Sequence, residues 1–208
     1  MKTITEDELI TFLADVGEGE RRVVAIAGPP GSGKSTFAEK LEIGLNAKMA
    51  GYAAILPMDG FHFDDQVLIP RGLRPRKGAP ETFDIDGFIH MLERLRTNAA
   101  KEIAIPTFDR SLEIARAGAR IIPQAVRVVI VEGNYLMLDR DGWNSLRFDT
   151  TIMLDVPRET LRQRLVDRWV RHGKSPDEIG LQVDGNDMIN VDLVQKSSRL
   201  ADFLIYER

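Results

Sequence analysis

Apolar residues along this chain form short uninterrupted runs, and these runs alternate with longer amphipathic stretches. The runs are Val23 to Ala27, Tyr52 to Pro57, Val126 to Val131, Thr151 to Leu154 and Phe203 to Ile205. Short runs of this kind predict strands that are buried on both faces, as in a parallel sheet. Their alternation with helical stretches predicts an α/β fold, in which a mainly parallel sheet of about five strands lies between two layers of helices.

The stretches between these runs have the periodicity of helices. Apolar residues recur at three- and four-residue spacing in 86–96 and in 158–171. A longer helix is expected over 176–196, although two glycines, Gly180 and Gly185, weaken that prediction. Short extended pieces between residues 103 and 122 predict a small accessory ribbon.

The N-terminus carries a recognisable helix start. Thr5 and Glu8 have the spacing of a capping box, in which each side chain satisfies a backbone N–H of the first turn. A short helix is therefore expected over 5–16, and residues 1–20 are expected to be a helical extension that packs against the core.

A glycine-rich segment, Gly-Pro-Pro-Gly-Ser-Gly-Lys-Ser, joins the first apolar run to a helical stretch. It has the complete G-x-x-x-x-G-K-S spacing of a phosphate-binding loop. Glycines let the backbone approach phosphate closely, the lysine reaches the outer phosphates, and the final serine is placed to ligate Mg²⁺. We expect the nucleotide to be held by Gly28, Gly31, Ser32, Gly33, Lys34, Ser35 and Thr36. The alternative is a turn that binds no ligand.

Two acidic residues follow buried runs. Asp59 comes after the second run and Glu132 after the third. Ligands of open parallel sheets bind beyond the carboxyl ends of the strands, so both carboxylates are expected to face the phosphate-binding loop. Phosphoryl transfer requires a carboxylate that accepts the proton of the attacking hydroxyl. Asp59 is the candidate base and Glu132 a candidate metal ligand, unless they are a turn former and a solvated acid.

Arg164, Arg168 and Arg171 project from one side of the predicted helix over 158–171. A row of this kind on a mobile cap stabilises charge on a transferring phosphoryl group. The alternative is a solvated basic face. The glycine that follows, Gly173, permits the turn that a lid requires.

Composition limits the possible functions. The chain has 208 residues, no cysteine, 43% hydrophobic residues and a formal net charge of −4. This length suits one domain spanning 1–208, and the absence of cysteine excludes disulfides and thiolate metal sites. The charge argues against a nucleic-acid surface, and no run of the sequence approaches a membrane span. A cytoplasmic location is expected, and a homodimer is compatible with the sequence, which does not fix the oligomeric state.

These motifs together resemble the phosphoribulokinase, uridine kinase and bacterial pantothenate kinase family of P-loop kinases. The resemblance rests on the phosphate-binding loop, M-D-G-F-H around Asp59, P-E-T-F-D at 80–84, V-E-G-N-Y around Glu132 and the arginine helix ending R-H-G. Within the family, the chain is most similar to bacterial fructose-transport-linked fructokinases. The resemblance implies that Asp59 is the catalytic base, that Ser35, Asp59 and Glu132 surround Mg²⁺, and that the lid arginines contact phosphate.

The acceptor is less well defined by the sequence. In the accessory-ribbon motif the chain has P-T-F-D-R at 106–110, where uridine and pantothenate kinases carry tyrosine and histidine. The pair of Asp109 and Arg110 suits a polar, hydroxyl-rich or anionic ligand better than a pyrimidine. Candidate acceptor-binding residues are His62, Phe83, Arg110, Tyr135, Asn186 and Asn190. For Phe83 the alternative is core packing, and for the two asparagines it is an exposed helix face.

The sequence therefore predicts an ATP- and Mg²⁺-dependent kinase that phosphorylates a hydroxyl of a small metabolite, with a sugar such as fructose as the leading acceptor. Lys34, Asp59, Arg164 and Arg168 are its predicted catalytic residues. The alternatives are a nucleoside or pantothenate kinase, and a regulatory P-loop nucleotide-binding protein. A GTPase is disfavoured because the base-reading N-K-x-D motif is absent from the sequence.

Overall fold

The computed structural model describes residues 1–17 and 19–206. Its strands are β1 (Lys2–Thr3), β2 (Arg22–Ala27), β3 (Ala53–Pro57), β4 (Glu102–Asp109), β5 (Ile114–Pro123), β6 (Val128–Gly133), β7 (Thr150–Asp155) and β8 (Phe203–Tyr206). Its α-helices are α1 (Glu6–Leu13), α2 (Lys34–Lys48), α3 (Asp65–Leu68), α4 (Ile85–Thr97), α5 (Arg158–Arg171), α6 (Pro176–Gln182) and α7 (Met188–Ser197).

Six strands form the main sheet in the order β1-β8-β7-β2-β6-β3, and every neighbouring pair is parallel. The central pair is β7 and β2, and all six residues of β6, which lies beside β2, are buried. Both faces of β2 and β6 are covered, so their sequences are mostly apolar and do not alternate between apolar and polar residues. The exceptions are Arg22 and Glu132, each near the end of its strand. The predicted α/β architecture is confirmed.

Alternate side chains of β2 enter two different apolar layers. Val23 and Ala25 belong to a core that includes Phe88 and Leu92 of α4. Val24 and Ile26 belong to the opposite core, which contains Leu41 of α2 and also Leu9 and Leu13 of α1. Burial on both faces fixes the register of β2, because a shift by one residue would exchange its side chains between the two layers.

The predicted accessory ribbon is the antiparallel pair β4 and β5. Its register shifts between Ile105 and Thr107, at Pro106, which has no backbone N–H to pair. The turn from Met58 to Phe61 after β3 packs closely against it, because a Cβ on Gly60 would lie 2.5 Å from the Pro106 carbonyl oxygen. The ribbon is thereby held against the carboxyl end of the main sheet.

Two predicted elements differ in the structure. The helix expected over 176–196 is interrupted by a π-helical turn, Val183–Asp187, between α6 and α7. The N-terminal segment contains the predicted capping box and α1, but β1 also joins the sheet edge beside β8. A two-residue strand has too few positions to show a hydrophobic pattern. Among the described residues, none of the helices has the length and apolar character needed to cross a membrane.

Candidate active site

Two clefts meet at the carboxyl edge of the sheet. One, the loop cleft, has a volume of about 550 Å³ and is lined by the phosphate-binding loop, Glu132 and the three lid arginines. The other, the ribbon cleft, has a volume of about 450 Å³ and lies between the ribbon, α5 and α7. Five residues line both clefts: Pro30, Asp59, Arg110, Asn134 and Arg168.

The phosphate-binding loop lies between β2 and the first turn of α2. Gly31 and Gly33 have φ values of +82° and +88°, a left-handed backbone that other residues adopt with strain. A Cβ on Gly28 would lie 2.7 Å from Oγ of Ser32 and 3.2 Å from the Leu154 carbonyl oxygen, so a side chain at this position would displace its neighbours. Backbone N–H groups at the start of α2 and the positive end of its dipole make the loop cleft suitable for an anion.

Lys34 is buried beneath this loop. Its Nζ donates to the Pro29 carbonyl oxygen at 2.9 Å and to Ser32 Oγ at 3.3 Å. Burial lowers the pKa of Lys34 to about 8, although the nearby carboxylates of Glu132 and Asp59 oppose that shift. The ammonium therefore lies close to both acids while it remains held by the loop.

Glu132 lies in β6, which β2 separates from β7 in the sheet. Only 8% of its surface is exposed. Burial, with a further contribution from the Asp59 carboxylate, raises the pKa of Glu132 to about 7, while a hydrogen bond with Ser35 acts in the opposite direction. Two carboxylates and a hydroxyl thus converge below the loop cleft. A divalent cation placed among them would favour the ionised form of both acids.

Asp59 lies in the turn after β3, where its Oδ2 accepts a hydrogen bond from Nη2 of Arg110 at 2.6 Å. Burial favours the neutral acid, but interactions with His62, Arg110 and Lys34 outweigh it and hold the pKa of Asp59 below its ordinary value. The carboxylate is therefore ionised at neutral pH, as a proton acceptor must be.

His62 lies between two aromatic rings, with centroid distances of 4.0 Å to Phe83 and 4.8 Å to Phe108. Its Nδ1 is 2.8 Å from the Asp59 carbonyl oxygen, which can only accept, so Nδ1 carries the hydrogen. Burial lowers the pKa of His62. This aromatic stack forms one wall of the ribbon cleft and orients the backbone of Asp59.

The lid arginines occupy one side of α5, and all three line the loop cleft. Arg168 also reaches the ribbon cleft and lies over the Trp169 ring. On an adjoining face of α5, Leu161 and Leu165 pack into a small core with residues of α6 and α7. A Cβ on Gly31 would lie 3.2 Å from Leu165 Cγ, so the phosphate-binding loop touches this helix directly.

The candidate acceptor-binding residues do not all reach a cleft. His62, Phe83, Arg110 and Asn190 line the ribbon cleft. Tyr135 is fully buried, packs against Phe83 and Trp143, and donates a hydrogen bond to the Gly78 carbonyl oxygen at 2.6 Å. Asn186 is 4% exposed, and its amide is bonded to the loop after α3.

The structure adds to the site one residue that the sequence did not single out. Asn134 lines both clefts, whereas its neighbour Tyr135 points into the core. V-E-G-N-Y lies at the end of a strand, and asparagine is more polar than tyrosine. Together these two signals favour Asn134 over Tyr135 as the residue that lines the site. Arg76 bonds to Asn186 from 110 residues away, and no local pattern indicates such a contact.

The site fits a magnesium-bound nucleotide. Two of its glycines adopt the left-handed backbone that a phosphate-binding loop requires, and its hydroxyl and carboxylate oxygens are ligands that Mg²⁺ prefers. No group of three or more histidine, cysteine or acidic residues able to hold a metal occurs in the described part of the chain. A magnesium ion here would consequently take its remaining ligands from phosphate and water, as is usual for this cation.

The chain is similar to several known proteins. It is 30% identical to a candidate uridine kinase of Schizosaccharomyces pombe, over 97% of this chain and 90% of the relative. It is 34% identical to the uncharacterised protein YggC of Escherichia coli, over 95% of this chain and 82% of the relative. A crystal structure of a candidate fructose transport system kinase from Silicibacter is 41% identical, with a TM-score of 0.89, and the match covers 97% and 98% of the two chains.

No family model matches the chain. The relatives nevertheless match almost its full length, and further relatives include pantothenate kinases and ATP-dependent kinases from yeasts. The sequence identity, the parallel sheet and the phosphate-binding loop together lead to one conclusion: the chain belongs to the uridine kinase-like family of P-loop kinases, enzymes that phosphorylate small metabolites.

Proposed function

We propose that this protein transfers the γ-phosphoryl group of magnesium-bound ATP to a hydroxyl group of a small polyhydroxylated metabolite, with a sugar such as fructose as the leading acceptor. One observation carries the proposal: Asp59 lines both the loop cleft and the ribbon cleft. A group at this junction is within reach of a phosphate bound on one side and a hydroxyl bound on the other.

The charge and position of each side chain determine its role in the reaction. Asp59 accepts the proton of the acceptor hydroxyl as that oxygen attacks the γ-phosphorus, whose bond to the bridging oxygen of ADP breaks. Lys34, Arg164 and Arg168 stabilise negative charge on the phosphoryl oxygens. Ser35, Asp59 and Glu132 would hold the metal. Mg²⁺, when bound, neutralises charge on the phosphates.

The ribbon cleft supports a polar acceptor. Its lining contains basic groups from three parts of the chain, namely Lys77, Arg110 and Arg168, together with the carboxylate of Asp59. Donors and acceptors of hydrogen bonds are therefore both present, and hydroxyl groups match both. The name of the Silicibacter relative, a candidate fructose transport system kinase, supports a sugar. Nucleosides and pantothenate, suggested by the names of other relatives, are the alternative acceptors.

The proposal is tested with Asp59→Asn, which removes the base but preserves the shape of the side chain. We expect kcat to fall by about two to four orders of magnitude while ATP affinity changes little. The matched control is Asp86→Asn, which makes the same change at an exposed position on α4 and should retain wild-type turnover. Normal turnover of Asp59→Asn would show that another group accepts the proton.

The acceptor is identified by ADP release from ATP and Mg²⁺ in the presence of fructose, other sugars, uridine, pantothenate or D-glycerate. We expect the highest kcat/KM for a sugar. A preference of 100-fold or more for uridine or pantothenate would replace the sugar by that compound and leave the kinase assignment intact. ADP release at the background rate with every compound would contradict the proposed function.

A further inference from the structure

An amide oxygen in the ribbon cleft has no hydrogen-bond partner. Asn190 lies on α7, lines this cleft and is 2% exposed. Its Oδ1 is one of four buried side-chain polar atoms that lack a partner among the described residues. Buried polar atoms of folded proteins are nearly always hydrogen-bonded, so an unpaired oxygen on a residue that lines a cleft indicates a missing partner.

The orientation of the Asn190 amide follows from its neighbours. Arg76 can only donate, and its Nη1 lies 2.7 Å from Oδ1 of Asn186. Nδ2 of Asn186 donates to the Lys77 carbonyl oxygen at 3.0 Å, and a carbonyl can only accept. Both ends of the Asn186 amide are therefore fixed, and its Oδ1 is the group that it presents to α7.

Nδ2 of Asn190 donates to this same Asn186 oxygen, at 3.4 Å. Rotating the Asn190 amide by half a turn would place two oxygens against each other, so the network favours one orientation. Nδ2 points to Asn186 and Oδ1 is the free end. The unpaired atom of this cleft-lining residue is thus one that accepts hydrogen bonds and cannot donate them.

We propose that Asn190 is a specificity-determining residue that selects acceptors by a hydroxyl group, which donates a hydrogen bond to its Oδ1. Carboxylate, phosphate, ketone and ether oxygens lack the required hydrogen. The basic side chains of the same cleft need partners that accept hydrogen bonds. A hydroxyl group can bond both to them and to Oδ1 of Asn190, because it accepts and donates hydrogen bonds. The hydroxyl read by Asn190 is distinct from the one that Asp59 deprotonates, so the acceptor carries at least two.

This inference rests on the proposed function, because it assigns the ribbon cleft to the acceptor. The π-helical turn that precedes α7 supports it from the backbone, since such turns are rare and occur frequently at functional sites. The π-helical segment contains Asn186 and places it next to Asn190, which lies in the first turn of α7.

The experiment measures ligand binding by calorimetry to wild-type protein and to Asn190→Leu, which keeps the approximate side-chain volume and removes the amide. The probes are fructose, uridine, pantothenate and D-glycerate, and the monodeoxy and monodeoxyfluoro analogues of any that bind. Fluorine replaces the hydroxyl without a hydrogen to donate. The control variant is Gln195→Leu, an equivalent loss of an amide on α7 at a residue that bonds to the Val156 carbonyl oxygen outside the cleft.

For one hydroxyl position we expect both analogues to bind the wild type about 10- to 100-fold more weakly than the parent compound. Asn190→Leu should bind the parent compound with a comparable loss and should no longer distinguish it from those two analogues. Other positions should keep their wild-type penalties in the variant. Gln195→Leu should match the wild type throughout.

The inference is overturned if no probe binds wild-type protein more tightly than Asn190→Leu, which would show that solvent satisfies the buried oxygen. It is also overturned if the fluorinated analogue binds as well as the parent compound at every position, because the group would then be read as an acceptor. Probes that bind as expected without releasing ADP would instead contradict the proposed kinase function and leave the recognition role of Asn190 in place.

Discussion

The guanidinium of Arg110 lies 2.6 Å from the Asp59 carboxylate, although the two residues are 51 positions apart in the chain. Arg110 follows the end of β4 and Asp59 the end of β3, so the pair ties the accessory ribbon to the main sheet. Arg110 is half-exposed, whereas Asp59 retains less than a quarter of its side-chain surface. The ion pair thus forms at the opening between the two clefts, on the group that we propose as the base.

Replacing Arg110 by alanine should lower kcat/KM for the acceptor about tenfold or more, because a cation at the junction of both clefts is lost. Burial would then raise the pKa of Asp59 with less opposition, so the acidic limb of the pH–rate profile should move to higher pH. Steady-state rates between pH 4 and 8, in about half-unit steps, measure both effects.

Arg116→Ala is the matched control, since Arg116 pairs with Asp109 on the same ribbon without lining either cleft. Exposed pairs of this kind contribute little to stability. Equal losses in the two variants would mean that the ribbon as a whole, and not the Arg110 charge, supports catalysis.

Glu132→Gln should raise the Mg²⁺ concentration required for half-maximal activity about tenfold or more, because one charged ligand is replaced by a neutral amide. Titration of ADP release with Mg²⁺ gives the value, and removal of the metal with a chelator should abolish activity in both proteins. Glu39→Gln alters an acid that lies near Glu132 in an adjoining cavity but outside the loop cleft. A Mg²⁺ requirement unchanged by Glu132→Gln would exclude Glu132 as a ligand.

Gly133→Ala should destabilise the fold by about 1–3 kcal/mol, because the new methyl group would lie 2.5 Å from Cβ of Met58 in a packed layer. For Gly180→Ala we expect the opposite effect, a gain in stability. Nothing lies within 4 Å of a Cβ at that helical position, so alanine should stabilise the protein by about 0.4–1 kcal/mol. Urea unfolding followed by circular dichroism measures both, and a neutral Gly133→Ala would show that β6 and the turn after β3 separate easily.

Tyr135→Phe should reduce the free energy of unfolding by about 0.5–1.5 kcal/mol, since it removes a buried hydrogen bond to the Gly78 carbonyl oxygen. The acceptor KM should stay within about twofold of the wild-type value, because the ring lies among Phe83 and Trp143 and lines neither cleft. A large rise in KM with unchanged stability would instead restore the role in acceptor binding that the sequence suggested.

The sequence predicted the features that depend on local pattern. The five apolar runs gave the main strands, the glycine spacing gave the loop, and the rule for strand ends placed Asp59 and Glu132 at the same edge of the sheet. Each of these follows from periodicity or from the geometry of parallel strands. The capping box at Thr5 and Glu8 forms as its spacing predicts.

Features that depend on tertiary packing were not predictable in this way. Nothing near Arg76 or Asn186 in the sequence indicates that they bond to each other, and the π-helical turn that positions Asn186 has no simple sequence signature. Tyr135 and Asn134 are adjacent, yet one enters the core and the other lines both clefts. Which of the two side chains enters the core depends on the path of the loop after β6.

The wall that the two clefts share has a thermodynamic consequence. A nucleotide that attracts Arg168 or Arg110 changes the field felt by the second substrate, and the second substrate changes the field felt by the nucleotide. Linkage makes this mutual influence equal in both directions. A compound that increases the protein's affinity for the other compound is therefore itself bound more tightly by the same factor. Where both compounds draw the shared arginines into the same arrangement, the ternary complex is favoured over either half-filled state.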